Sequence, residues 1–146
     1  GKMDLFKELK KMAVLLIDDD EWVRDSLSLF FDSEGCSLVA LETAEEGLKA
    51  LQERNYDVII ADYRLPGMNG LKFLECVNEM AAGPNPIKIL ITAYGNDHVL
   101  HEIRRLGIHD YIRKPFSTST LLTSLRTQMK NCRPKCKDVH GSTGPH

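Results

Sequence analysis

Short apolar runs that stop abruptly at acids organise this chain. Met12-Ala13-Val14-Leu15-Leu16-Ile17 ends at Asp18-Asp19, and Val58-Ile59-Ile60-Ala61 ends at Asp62. A continuous apolar run of that length reads as a strand covered on both faces. The acid that ends it is then a charge delivered to the edge of the sheet. In an open α/β sheet the carboxyl ends of the strands are where ligands bind. Carboxylates gathered there repel one another unless a cation holds them. The pattern therefore predicts a hard divalent metal or raised pKa values.

Strand and helix signals alternate five times. Met12–Ile17 is the first strand, followed by a helix over Glu21–Glu34 with Trp22/Val23, Leu27, Phe30 and Phe31 at helical spacing and Gly35 as its stop. Ser37–Leu41 is a short second strand. Thr43 caps a helix over Ala44–Glu53, with Glu46 completing a capping box. Tyr56–Asp62 contains the third strand, and Tyr63–Gly70 is a loop carrying Pro66-Gly67 and Asn69-Gly70. Leu71–Ala81 is a helix and Ile87–Ile91 the fourth strand. Asp97–Leu106 is a helix ended by Gly107, and His109–Arg113 is the fifth strand. Ser117 caps the last helix, which runs to about Lys130. Such alternation calls for a parallel sheet with right-handed crossovers.

The chain has 146 residues, the size of one ordinary domain. Residues 12–130 form that domain. Residues 1–11 are a leader that can make a short helix with Leu5, Phe6 and Leu9 on one face. Residues 131–146 are polar, carry Pro134 and Pro145 and read as a tail; Gly1-Lys2 and Gly141-Ser142-Thr143-Gly144-Pro145 have the look of added vector residues. A net charge of −2 gives no electrostatic case for nucleic-acid binding. No apolar run approaches the roughly 18 residues of a membrane span. The charged first ten residues do not read as a signal peptide. Cys36 and Cys76 therefore read as reduced thiols in a cytoplasmic protein. Cys132, Cys136 and His140 have ligand-like spacing, but Pro134 breaks a helix that would align them, and a mobile tail is the better reading.

Four of the five strands end in a group that could work. Asp18 and Asp19 end the first, Asp62 the third, Thr92 the fourth and Lys114, before Pro115, the fifth. Asp20 and Glu21 open a helix and read as its cap and first-turn acid. The set suits phosphoryl transfer to a carboxylate. Asp62 is the nucleophile, Mg²⁺ bridges it to Asp19 with help from Asp18, Thr92 donates to one phosphoryl oxygen and Lys114 offsets charge on another. Mg²⁺ needs only one or two protein carboxylates, so the count fits. Two other classes compete. A phosphatase of the haloacid-dehalogenase type would use Asp18-x-Asp20, but Trp22 stands where that signature wants a small or β-branched residue. A pure interaction module would need no intact acids, and here they are intact.

Four stretches carry a family resemblance: Leu15-Leu16-Ile17-Asp18-Asp19-Asp20, Asp57 through Gly70, Ile89-Leu90-Ile91-Thr92-Ala93-Tyr94 and Asp110-Tyr111-Ile112-Arg113-Lys114-Pro115-Phe116. From about Met12 to Lys130 the chain resembles the receiver domain of two-component response regulators, the CheY-like fold. The resemblance implies a flavodoxin-like sheet of order 2-1-3-4-5 with five flanking helices. It implies a signalling switch rather than an enzyme. Asp62 would accept a phosphoryl group from the phosphohistidine of a sensor histidine kinase or a histidine phosphotransfer protein. Mg²⁺ would be held by Asp19, Asp62 and the backbone carbonyl of Arg64, with Asp18 in the acidic pocket. Thr92 and Tyr111 would be switch residues, and the Lys114–Pro115 bond would be cis. The face made by the helix at Asp97–Leu106, the fifth strand and the last helix would meet an output partner, and is a candidate homodimer contact. Arg64 and Tyr94, two residues after Asp62 and Thr92, are both large and are expected to gate the attacking water and slow dephosphorylation.

Overall fold

The computed structural model describes residues 4–80, 83–93 and 95–141, with side chains through residue 132. Its elements run α1 (Leu5–Leu9), β1 (Ala13–Ile17), α2 (Glu21–Ser33), β2 (Ser37–Leu41), α3 (Ala44–Glu53), β3 (Val58–Asp62), α4 (Gly70–Glu79), β4 (Ile87–Thr92), α5 (Asp97–Arg105), β5 (Asp110–Arg113) and α6 (Thr118–Gly141). The strands form one parallel sheet in the order β2-β1-β3-β4-β5. From β1 the chain winds outward to β2, then returns to place β3 on the other side of β1. That reversal opens a crevice beyond the carboxyl ends of β1 and β3.

Local chemistry sets the element ends. Asp20, Thr43, Asn69 and Asn96 each accept a backbone N–H of the first turn they cap, and Thr43 with Glu46 forms the expected capping box. Gly35 and Gly107 follow α2 and α5 with φ of 71° and 69°, a left-handed turn that costs glycine little. The Lys114–Pro115 bond is cis.

The sheet is apolar on both faces. One core packs α1, α2 and α6 against it through residues such as Leu5, Leu9, Phe31, Leu121, Leu125 and Met129. The other packs α3, α4 and α5 through Phe73, Leu74, Val99 and Ile103. The leader helix is thus a sixth helix, not an appendage: Leu5 and Leu9, four residues apart, share one helical face and are fully buried.

Two expectations change. The last helix does not stop near Lys130 but continues to Gly141, so Pro134 does not end it. A proline inside a helix removes one N–H bond and bends the axis without having to end the helix. Cys132, placed in a tail by the sequence reading, extends the Leu125–Met129 stripe by three residues and packs on the first core. The side chains of Cys136 and His140 lie outside the described residues. In α2, Val23 rather than Trp22 packs on the core, and Trp22 stands in solvent.

Candidate acidic site at the switch point

Strand register brings the acids together. Ile17 pairs with Ala61, so Asp18 and Asp62 follow side by side, and Asp62 pairs with Ile91, one residue before Thr92. Asp18, Asp62 and Thr92 are buried, whereas Asp19 is exposed. Lys114 arrives from the end of β5, held by its N–H to the Thr92 carbonyl at 2.9 Å. Its Nζ lies 3.1 Å from Asp62 Oδ2 and 3.3 and 3.2 Å from the two oxygens of Asp18. One ammonium is therefore shared between two buried carboxylates.

Burial pushes the Asp62 carboxyl up, to about 6, and the neighbouring Asp18 charge pushes the same way. The Lys114 ammonium and the Arg64 backbone N–H pull against them without winning. Burial alone would lower Lys114, but the charges of Asp18 and then Asp62 outweigh it and its pKa is raised. The pocket is thus short of positive charge: one lysine faces two buried acids, with a third at the rim.

Carboxylate oxygens of Asp18, Asp19 and Asp62 lie within 4.8 Å of one another. Asp18 Oδ1 accepts the Asp20 N–H at 2.9 Å. Asp18 Oδ2 is fully buried and makes no hydrogen bond; Lys114 Nζ at 3.2 Å gives it charge but not a directed donor. A buried carboxylate oxygen with a lone pair to spare, in an oxygen-only set, fits a hard cation. A cleft of about 370 Å³, lined by Asp19, Asp62, Tyr63, Arg64, Ala93 and Lys114, gives access from solvent.

The loop after β3 has to turn back tightly over this cleft. Gly70 donates its N–H to the Tyr63 carbonyl at 2.9 Å, and a Cβ at position 70 would collide with the Asp62 carbonyl. Only glycine lets α4 begin so close to the strand it has just left. Arg24, which the sequence reading passed over, donates from Nη1 to the Asp18 carbonyl at 3.0 Å and ties α2 to the end of β1. Its signal, a basic residue one turn into the helix after the acid pair, is weak without the fold. Asp20 is the α2 cap, accepting the Trp22 N–H at 2.9 Å.

Tyr111 lies away from the acids. It pairs with Leu90 across the sheet, packs half-buried on the α5 side, and its hydroxyl borders Gly95 in the loop after β4. Tyr94 lies outside the described residues. Arg64 lines the cleft through its place in the loop after β3.

Comparison with known proteins decides the class. The response regulator receiver domain model matches residues 14–126. The chain belongs to the response regulator receiver domains. It is 31% identical over 128 residues to the transcriptional regulatory protein FixJ of Bradyrhizobium diazoefficiens, covering 87% of this chain and 61% of FixJ. A FixJ of Azorhizobium caulinodans is 30% identical, with 56% of its length covered. The receiver therefore spans less than two thirds of these relatives. Among solved structures, a CheY-like receiver domain protein from Methanospirillum hungatei JF-1 matches with a TM-score of 0.77 and 26% identity, over 85% of this chain and 98% of that one. FixJ-N matches with a TM-score of 0.68 and 26% identity, over 80% and 94%. Among the described residues, no helix of the receiver is long and apolar enough to cross a membrane.

Proposed function

We propose that this receiver accepts a phosphoryl group on Asp62 from a partner's phosphohistidine and passes the change to its α5–β5–α6 face. The observation that carries this reading is the Lys114 ammonium shared between buried Asp62 and Asp18, beside solvent-facing Asp19. An oxygen of Asp62 attacks phosphorus as the P–N bond of the phosphoimidazole breaks, and the imidazole leaves with the bonding pair. With its pKa near 6, Asp62 is ionised and nucleophilic at neutral pH. Lys114 neutralises charge on the phosphoryl oxygens, and Thr92 donates its hydroxyl to one of them.

Asp19 and Asp62, with the Arg64 carbonyl and with Asp18 directly or through water, would hold Mg²⁺. When bound, it offsets the charge gathered between the acids and the phosphoryl oxygens. The donor is a sensor histidine kinase or a histidine phosphotransfer protein in the cytoplasm. The product adds roughly −1.5 to −2 charge and three strong acceptors to the pocket. Arg64 and Tyr94 gate water at the phosphoaspartate and lengthen its life.

Intact-mass measurement after incubation with acetyl phosphate tests this directly. One added phosphoryl group is expected with Mg²⁺, none with EDTA, and none in Asp62→Asn. No added mass, together with no beryllofluoride binding, overturns the reading. The decay of that mass should quicken severalfold in an Arg64→Ala, Tyr94→Ala double variant; an unchanged decay removes the gate.

A further inference from the structure

The turn that carries the acid pair is closed at three points. Asp20 donates its N–H to Asp18 Oδ1 at 2.9 Å. Arg24 donates its own N–H to the Asp20 carbonyl at 3.1 Å, and from Nη1 it reaches back to the Asp18 carbonyl at 3.0 Å. One half-buried residue of α2 thus grips the turn at its helix end and at its strand end. Asp19 stands between the two grips, exposed and at the rim of the acidic cleft. Among the described residues, nothing donates a hydrogen bond to its carboxylate. The direction of that carboxylate is therefore left to the backbone. The Asp18 carbonyl belongs to the planar peptide that joins Asp18 to Asp19. Holding its oxygen fixes the rotation of that plane, and with it the bond by which the Asp19 side chain leaves the chain.

We propose that Arg24 is a positioning residue for the cation site: by holding the Asp18 carbonyl it aims the Asp19 carboxylate at the space shared with Asp18 and Asp62. This rests on the reading of Asp19 and Asp62 as acids that hold Mg²⁺. The Asp18 carboxylate is already held by the Asp20 N–H and by Lys114, so Asp19 is the acid whose aim depends on Arg24. A guanidinium suits the task, because it is always charged and donates strongly to a carbonyl oxygen. Removing it has two opposed effects. Loss of a nearby positive charge draws a cation more tightly to the acids. Loss of the grip frees the turn and weakens binding. Partners that orient metal ligands are worth roughly ten- to hundredfold in affinity, whereas a half-exposed charge is screened by solvent and salt. Positioning therefore wins, and the sign of the change separates it from a simple charge effect.

Arg24→Met keeps a long stem and removes the donor. Titration of the whole chain with Mg²⁺ alone, followed by its amide resonances, tests the effect. The Mg²⁺ dissociation constant of Arg24→Met should rise about tenfold over wild type. In EDTA, the amide order parameter should fall at Asp19 and hold at Asp62, because only the turn has lost its grip. Unchanged or tighter Mg²⁺ binding in Arg24→Met, even with a lower urea midpoint, makes the residue a mere tie between α2 and β1 and overturns the proposal. Weaker binding with Asp19 as ordered as in wild type means that Arg24 does not act through that turn, and also overturns it. A wild type that binds no Mg²⁺ overturns the reading of the acids as a cation site and this proposal with it. Failure confined to Arg24→Met leaves that reading standing.

Discussion

Asp62 shows what burial does to a single group. Its folded pKa near 6 lies above the ordinary 3.8, so the folded chain holds this proton more tightly than the unfolded chain. Ionising it therefore costs stability. The cost is absent below about pH 4, grows as pH rises towards 6, and is complete above that. In EDTA at pH 7.5, Asp62→Asn should raise the unfolding free energy by about 2 kcal/mol, with the gain fading near pH 4. Urea titrations at the two pH values check this, and a gain equal at both would show that burial is not its source. The acids themselves were legible because each ends an apolar run. Asp18 as the more buried of its pair was not, since adjacent residues differ only in which face of the strand end they take. Lys88 was not legible either. It hides inside an apolar strand, 1% exposed, with its Nζ on Asn85 Oδ1 at 2.8 Å, and burial lowers its pKa. A lysine can vanish into a core when one polar partner meets its tip.

At the level of elements, capping and periodicity located nearly every helix and strand. α3 runs over the expected Ala44–Glu53 because Thr43, Glu46 and the apolar stripe all agree. β1 starts at Ala13, not Met12, where its N–H meets Asp57 Oδ2 at 2.7 Å, a bond between residues 44 apart that no local pattern reveals. α1 is the more telling case. Its five residues form too short a helix to persist alone, so tertiary contact with α2 and α6 holds it. Phe6 reaches Phe30 of α2 with ring centroids 6.1 Å apart. Leu9→Ala should therefore cost about 2–5 kcal/mol, as deletion in a core does, rather than the few tenths expected of a dangling leader. A denaturation midpoint within error of wild type would show that α1 is not part of the folded unit.

Across the whole molecule, the acidic cleft and the α5–β5–α6 face proposed to answer it are joined by the edge of the sheet. Lys114 and Tyr111 both lie on the short path from β5 into α6, three residues apart, one facing the acids and one packed on the α5 side. If the Thr92 hydroxyl moves to a phosphoryl oxygen, the space behind it opens to Tyr111 from the adjacent strand. Moving such a switch from 1:99 to 99:1 takes about 5.5 kcal/mol of differential binding. Beryllofluoride should therefore shift the Tyr111 ring resonances in wild type and leave them in place in Thr92→Ala. Unmoved Tyr111 resonances in wild type would separate the pocket from that face.

Local order alone determined much: alternation gave the parallel sheet, the acids at run ends marked the residues that the fold gathers in one cleft, and the stretches around Asp62, Thr92 and Lys114 carried the family. These are matters of what stands next to what along the chain, where propensity, capping and periodicity act. Only the tertiary structure decided which Asp shares the Lys114 ammonium and which oxygen is left without a donor. It alone sank Val23 and left Trp22 in water, and made the leader part of the core. Those outcomes depend on how elements distant in sequence pack, and packing selects among side chains that the sequence pattern treats alike.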